Sequence, residues 1–175
     1  MYILSVISFL LLGGFLLLAA MRFGVPAMVS DVYYQLQNCT GSEIIGDNRK
    51  RNYGWVFTAV MVTCAVLMMV CLLDTGKGVQ FLSFLGCVGL IFVGAAPNYL
   101  DAEAYPIHKG GALVAAAGCV GWCLSVCWVP TVILAFIYLL LVSNSYDDGE
   151  CNPVWYMAEV AGFLDVYITY WVCAL

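Results

Sequence analysis

Long apolar runs separated by short polar punctuation dominate the chain. A helix that crosses a bilayer needs about 20 mainly apolar residues, and that length recurs. Residues 2–20 form the first run, closed by Arg22. It has no preceding basic residue, its apolar core is long, and Met21-Arg22-Phe23 is a poor cleavage site, so it is expected to remain as an anchor. Residues 25–37 follow as a short amphipathic segment, with Pro26 near its start and Tyr33, Tyr34 and Leu36 along it. Residues 38–52 have a loop-like composition and contain Arg49-Lys50-Arg51.

Two further runs, 54–73 and 79–96, flank the turn Asp74-Thr75-Gly76-Lys77-Gly78. Residues 110–142 carry no formal charge. As one helix they would reach about 50 Å, against a hydrocarbon core near about 30 Å. Pro130 drives the residue before it out of the helical region, which divides the run into 110–128 and 130–143. A single kinked helix here would reduce the total by one span. An acidic loop, 144–153, precedes the last run, 154–175. Trp55, Trp128 and Trp155 stand at proposed span ends, where amphipathic rings favour the interface. The pattern predicts an all-α fold in one domain, 1–175. It is a polytopic transmembrane helical bundle of about six spans (five possible), with a short amphipathic segment after the first.

Composition strengthens this picture. Of the 175 residues 64% are apolar and 10% charged, where soluble domains carry about 45–50% and about 25%. Lipid is the solvent such a surface needs. Six basic residues, scattered, make no nucleic-acid surface. Of nine cysteines only Cys39 and Cys151 fall in polar loops; the others lie in apolar runs and behave as small hydrophobes. Arg22, Arg49, Lys50, Arg51 and Lys109 lie in the odd-numbered loops and only Lys77 in an even one. This count places the odd loops in the cytoplasm and both termini outside. Cys39 with Cys151, as a potential disulfide, and Asn38-Cys39-Thr40, a glycosylation-type triplet, point the other way.

Candidate chemistry is sparse. Glu159 and Asp165 lie inside the last run. An ionisable side chain at membrane depth costs at least about 2.5–3.5 kcal/mol and usually faces the bundle interior or a wet cavity. Six residues separate the two carboxylates by about 120° around a helix, so they are not one close pair. Asp165 can approach Thr169. His108, the single histidine, lies in the polar segment 98–109 with Asp101 and Glu103. One histidine with loop carboxylates is a weak metal set, and a water-satisfied interfacial histidine is the plainer expectation. Ser30-Asp31 sits on the amphipathic segment, as a local turn or helix cap or as the polar edge of a cavity. No G-x-S-x-G elbow and no phosphate-binding glycine loop occurs. Gly111, Ala115, Cys119, Cys123 and Cys127 recur every four residues as a ridge of small side chains. Packing explains that ridge better than a soft metal on three thiols does, and Gly86 and Gly89 offer a complementary surface.

Val25-Pro26-Ala27-Met28-Val29-Ser30-Asp31 resembles the Pro-x-(Ile/Val)-Ser-Asp stretch in the first loop of the DRAM-type six-span membrane family. That resemblance implies a first loop facing away from the cytoplasm, opposite to the basic-residue count. The overall layout, with residues 93–112 and Trp155-Tyr156-Met157-Ala158-Glu159-Val160, resembles small membrane proteins of gut bacteria and their phages, which supply no activity to carry over.

The expected function is that of an integral membrane protein holding a lipid or small amphiphile in a polar-lined cavity at Glu159, Asp31, Ser30, His108 and Asp165. Membrane lipid would be the partner, with no cofactor, no metal and no nucleic acid. Two alternatives are a membrane-embedded hydrolase or transferase using Asp31, His108 and Glu159, and a homo-oligomeric channel or effector assembled through the small ridge.

Overall fold

The computed structural model describes residues 1–37, 52–145 and 153–174. Every regular element among them is helical. α1 (Tyr2–Phe23) is ended by Gly24, whose φ of 83° suits glycine, and its N–H caps the carbonyl of Ala20. A turn leads into short α2 (Asp31–Gln37), then α3 (Gly54–Asp74) and α4 (Gln80–Ala95). α5 (Tyr105–Val126), α6 (Trp128–Ser145) and α7 (Val154–Thr169) complete the set, and Tyr170–Ala174 widens into a π-helical turn. Cys39, Cys151 and the Asn38 triplet lie outside the described residues, as do Arg49, Lys50 and Arg51.

Two boundaries differ from the sequence expectation. α5 begins five residues before 110, because Pro106 fits its first turn, where no intrahelical N–H is needed. His108 is therefore a helix residue rather than a loop residue. The α5–α6 break falls at Cys127, extended at φ −160° and ψ 114°, and not at Val129. Pro130 becomes the third residue of α6, again in a first turn, so its missing N–H disrupts nothing. The long run is two helices, not one kinked helix.

The long helices alternate in direction. The Cys71 thiol near the end of α3 meets the Met1 carbonyl, while Tyr33 approaches Gly54 at its start. Val79 at the head of α4 donates to Ser125 near the end of α5. Thr131 at the head of α6 meets Asp165 late in α7, while Tyr138 and Leu141 face Tyr156 and Met157 at its start. One end of the bundle thus gathers the end of α1, α2, the α4–α5 connection and the start of α7.

The core runs through α1, α3, α4, α5 and α7, with Phe57, Leu72, Trp122 and Tyr170 almost fully enclosed. The outer surface is apolar: Leu10, Leu18, Phe81, Leu113, Phe136 and Leu139 are all more than 60% exposed. Trp55, Trp128 and Trp155 project outward at helix ends, each 62–68% exposed. α1, α3 and α5 are long and apolar enough to cross a membrane; α4 and α6 are shorter apolar helices. This is the exterior of a membrane protein.

α4 and α5 make the closest helix contact. A Cβ built on Gly89 would lie 2.4 Å from the Ala115 nitrogen and 2.6 Å from the Gly111 oxygen. Only glycine allows this approach. Gly89→Ala should therefore lower stability by about 1–3 kcal/mol, read as a drop in the thermal midpoint in detergent. Gly162→Ala, with nothing within 4 Å of the new methyl, should leave stability unchanged or raise it by up to about 1 kcal/mol. Equal midpoints for Gly89→Ala and the parent would contradict the contact.

Candidate functional site

Between α1 and α2 the backbone leaves helical geometry, and its polar groups need partners from elsewhere. The Val29 N–H donates to Glu159 Oε2 at 2.6 Å, across 130 residues of sequence. The Met28 N–H donates to Asp31 Oδ2 at 3.0 Å. In return the Tyr156 N–H, an orphan donor of the first turn of α7, donates to the Ala27 carbonyl at 2.9 Å. Turn and helix start therefore satisfy each other. Glu159 faces inward, and Asp31 lies within electrostatic reach of it.

Ser30, at the entry to α2, places its hydroxyl 2.9 Å from His108 Nε2. The other ring nitrogen, Nδ1, lies 2.8 Å from the Ala96 carbonyl at the end of α4. Ser30 and His108 are only 6% and 8% exposed. His108 is thus satisfied by protein groups, not by water as expected. Asp101 and Glu103 are exposed; Asp101 bonds Asn98 at 3.3 Å, and neither carboxylate meets the histidine. Helix α5 turns His108 toward α2 and away from those two carboxylates.

Tyr99 completes the cluster. Its hydroxyl donates to Asp31 Oδ1, and its ring lies 5.3 Å from the His108 ring and 5.3 Å from Tyr34. The Tyr34 hydroxyl donates to Asn98 at 2.9 Å and accepts the Leu100 N–H at 2.8 Å, clamping the α4–α5 connection onto α2. Tyr99 and Asn98 were missed by sequence reasoning. Their only signal is polar side chains placed directly after Pro97 at a span end.

Four of the five expected polar residues, Glu159, Asp31, Ser30 and His108, therefore meet around residues 28–31. Asp165 does not join them. It lies six residues farther along α7, 3% exposed, and accepts from Thr131 at 2.8 Å and Thr169 at 3.3 Å. Asp31, His108 and Glu159 share the turn, yet none of the three hydrogen-bonds another: each is held by a different partner.

The small ridge is not one face. A four-residue step overshoots a helical turn by about 40°, so Gly111 and Cys127 end up nearly opposite. Gly111, Ala115 and Cys119 face Gly89 and Gly86 on α4. Cys123, fully buried, meets Asp165 and Thr169 on α7, and Cys127 ends α5 in extended conformation. The α4-facing part is occupied within one chain. Among the described residues no group of three or more histidine, cysteine or acidic side chains is placed to hold a metal.

A cleft of about 190 Å³ lies between α6 and α7, with walls including Leu134, Tyr138, Tyr156, Met157 and Val160; Ser30, Asp31, His108 and Glu159 do not line it. Its α7 wall flanks Glu159 on both sides in sequence. The sequence matches no family model and no curated protein, and the fold matches no solved structure.

Burial first, and the adjacent Asp31 carboxylate next, push the Tyr99 hydroxyl above the ordinary tyrosine value. The folded chain therefore holds this proton more tightly than the unfolded chain. Its contribution to stability is complete below about pH 10, the unfolded value, and declines as pH rises beyond it. Tyr99→Phe leaves Asp31 Oδ1 without its donor and should cost about 1–3 kcal/mol. It should also flatten the alkaline loss, measured by thermal unfolding in detergent between neutral pH and pH about 11.

Proposed function

We propose that this chain is a multi-pass integral membrane protein, with α1, α3, α4, α5, α6 and α7 as six spans, that holds a lipid or small amphiphile. The apolar part lies in the α6–α7 cleft and the polar head against the turn carrying Asp31, beside Glu159. The observation that carries this reading is the inward Glu159, next to the cleft walls Tyr156, Met157 and Val160. A carboxylate there is costly in lipid, and an apolar cleft runs along the same stretch of α7, on its α6-facing side. Among the described residues no basic side chain pairs with Glu159 or Asp31, so a head group with N–H or O–H donors is the complementary chemistry.

α4 and α6, about 24 and about 27 Å long, fall slightly short of the hydrocarbon core, a mismatch accommodated by local thinning at modest cost. Arg22 and Lys109 lie at the site end and Lys77 at the other. The basic-residue preference then orients the site toward the cytoplasm.

Glu159→Gln keeps an acceptor for the Val29 N–H while removing the charge, and Glu159→Leu removes both. Lipid co-purifying with the protein, quantified by mass spectrometry, should fall about 10-fold or more in both variants, the scale of one charge-assisted hydrogen bond. Unchanged lipid content in both would refute the site.

A further inference from the structure

The Ser30–His108–Ala96 arrangement carries more than a binding site. A backbone carbonyl can only accept, so the Ala96 oxygen fixes the hydrogen of a neutral His108 ring on Nδ1. Nε2 is then an acceptor, and at 2.9 Å it takes the Ser30 hydroxyl proton as its hydrogen-bond donor. A hydroxyl in hydrogen-bond reach of a base, with that base oriented by a third group, is the arrangement of an activated nucleophile. Backbone neighbours fix the serine as well: Glu159 holds Val29 on one side, and Asp31, itself held by Tyr99, holds Met28. Both carboxylates are positioning residues here.

We propose that Ser30 is a nucleophile, with His108 as its general base, for acyl transfer from an ester-linked amphiphile. The substrate class rests on the binding reading above; the nucleophile does not. Ser30 Oγ attacks the ester carbonyl carbon while its proton passes to His108 Nε2. The carbon–oxygen bond to the leaving alcohol breaks, and the same proton passes from His108 to that alkoxide. The products are an acyl ester on Ser30 and a free alcohol. Water or a second alcohol then attacks the acyl carbon, gives its proton through His108 to Ser30 Oγ, and leaves with the acyl group. No redox partner is needed.

The test uses the full chain in mild detergent with an alkyl fluorophosphonate, which forms an Oγ–P bond and releases fluoride only at an activated hydroxyl. Peptide mass spectrometry is read first on the unaltered protein, so the result does not depend on a variant folding. Modification of Ser30, and of neither Ser5 nor Ser8, is expected. His108→Gln, which keeps a hydrogen-bonding side chain, should slow it by about 100-fold or more, the lower range for a general base. No modification at Ser30, or an unchanged rate in His108→Gln, overturns the proposal. Lipid retained without Ser30 modification would defeat the nucleophile and leave the binding reading standing. Modification without co-purifying lipid would do the reverse.

Discussion

An unpaired backbone N–H or C=O away from water costs several kcal/mol, which is why chains in lipid are helical almost throughout. Residues after Gly24 depart from helix, and everything at that end of the bundle follows from how their polar groups are met. Val29 and Met28 donate to carboxylates, and Ala27 accepts from the first turn of α7. Each of these bonds meets a need on both sides. The Tyr156 N–H would be an orphan at a helix start, and the Glu159 carboxylate would be a bare charge among apolar helices. Pairing the irregular turn with α7 resolves both, and it closes the bundle by joining its first and last long helices.

The histidine arrives by a different constraint. Gly89 lets α4 and α5 touch at backbone distance, which fixes their relative register. Ala96 at the end of α4 then stands opposite the first turn of α5. Its carbonyl, one of those a helix C-terminus leaves unmet, receives His108 Nδ1. The same register brings Tyr99 over Asp31 and beneath Tyr34. A contact among glycines midway along two helices therefore sets the geometry of a polar cluster at their end.

Much of the architecture could be read from the chain. Apolar runs marked the long helices to within a few residues, and Glu159 stood out because a carboxylate in such a run requires a partner. Errors came at two helix starts, one set at 110 by the end of the charged segment and the other at Pro130. Pro106 and Pro130 both sit in first turns, where proline is welcome, so the helices begin earlier than the run of apolar residues suggests. The cysteine column was taken as one face because a spacing of four resembles a helical turn over one step; over four steps the drift separates its ends. Tyr99 was invisible because its role depends on Asp31, 68 residues away. Which long-range partner a tyrosine finds is decided by helix register, and local pattern does not encode that. His108 was expected to meet water for the same reason.

The two carboxylates of α7 do different work, and the difference shapes the cleft. Asp165 accepts from the Thr131 hydroxyl at the head of α6 and from Thr169 on its own helix. It thereby pins α6 to α7 at the end away from the polar cluster. Farther along, α6 is widely exposed from Val132 to Leu141. Asp165 fastens the pair at one end; toward the other, Tyr138 and Leu141 line a cleft with Tyr156 and Met157. Glu159 lies on that half of α7. Six residues of helix, with the 120° rotation they bring, are what allow one helix both to hold α6 through Asp165 and to meet the irregular turn through Glu159.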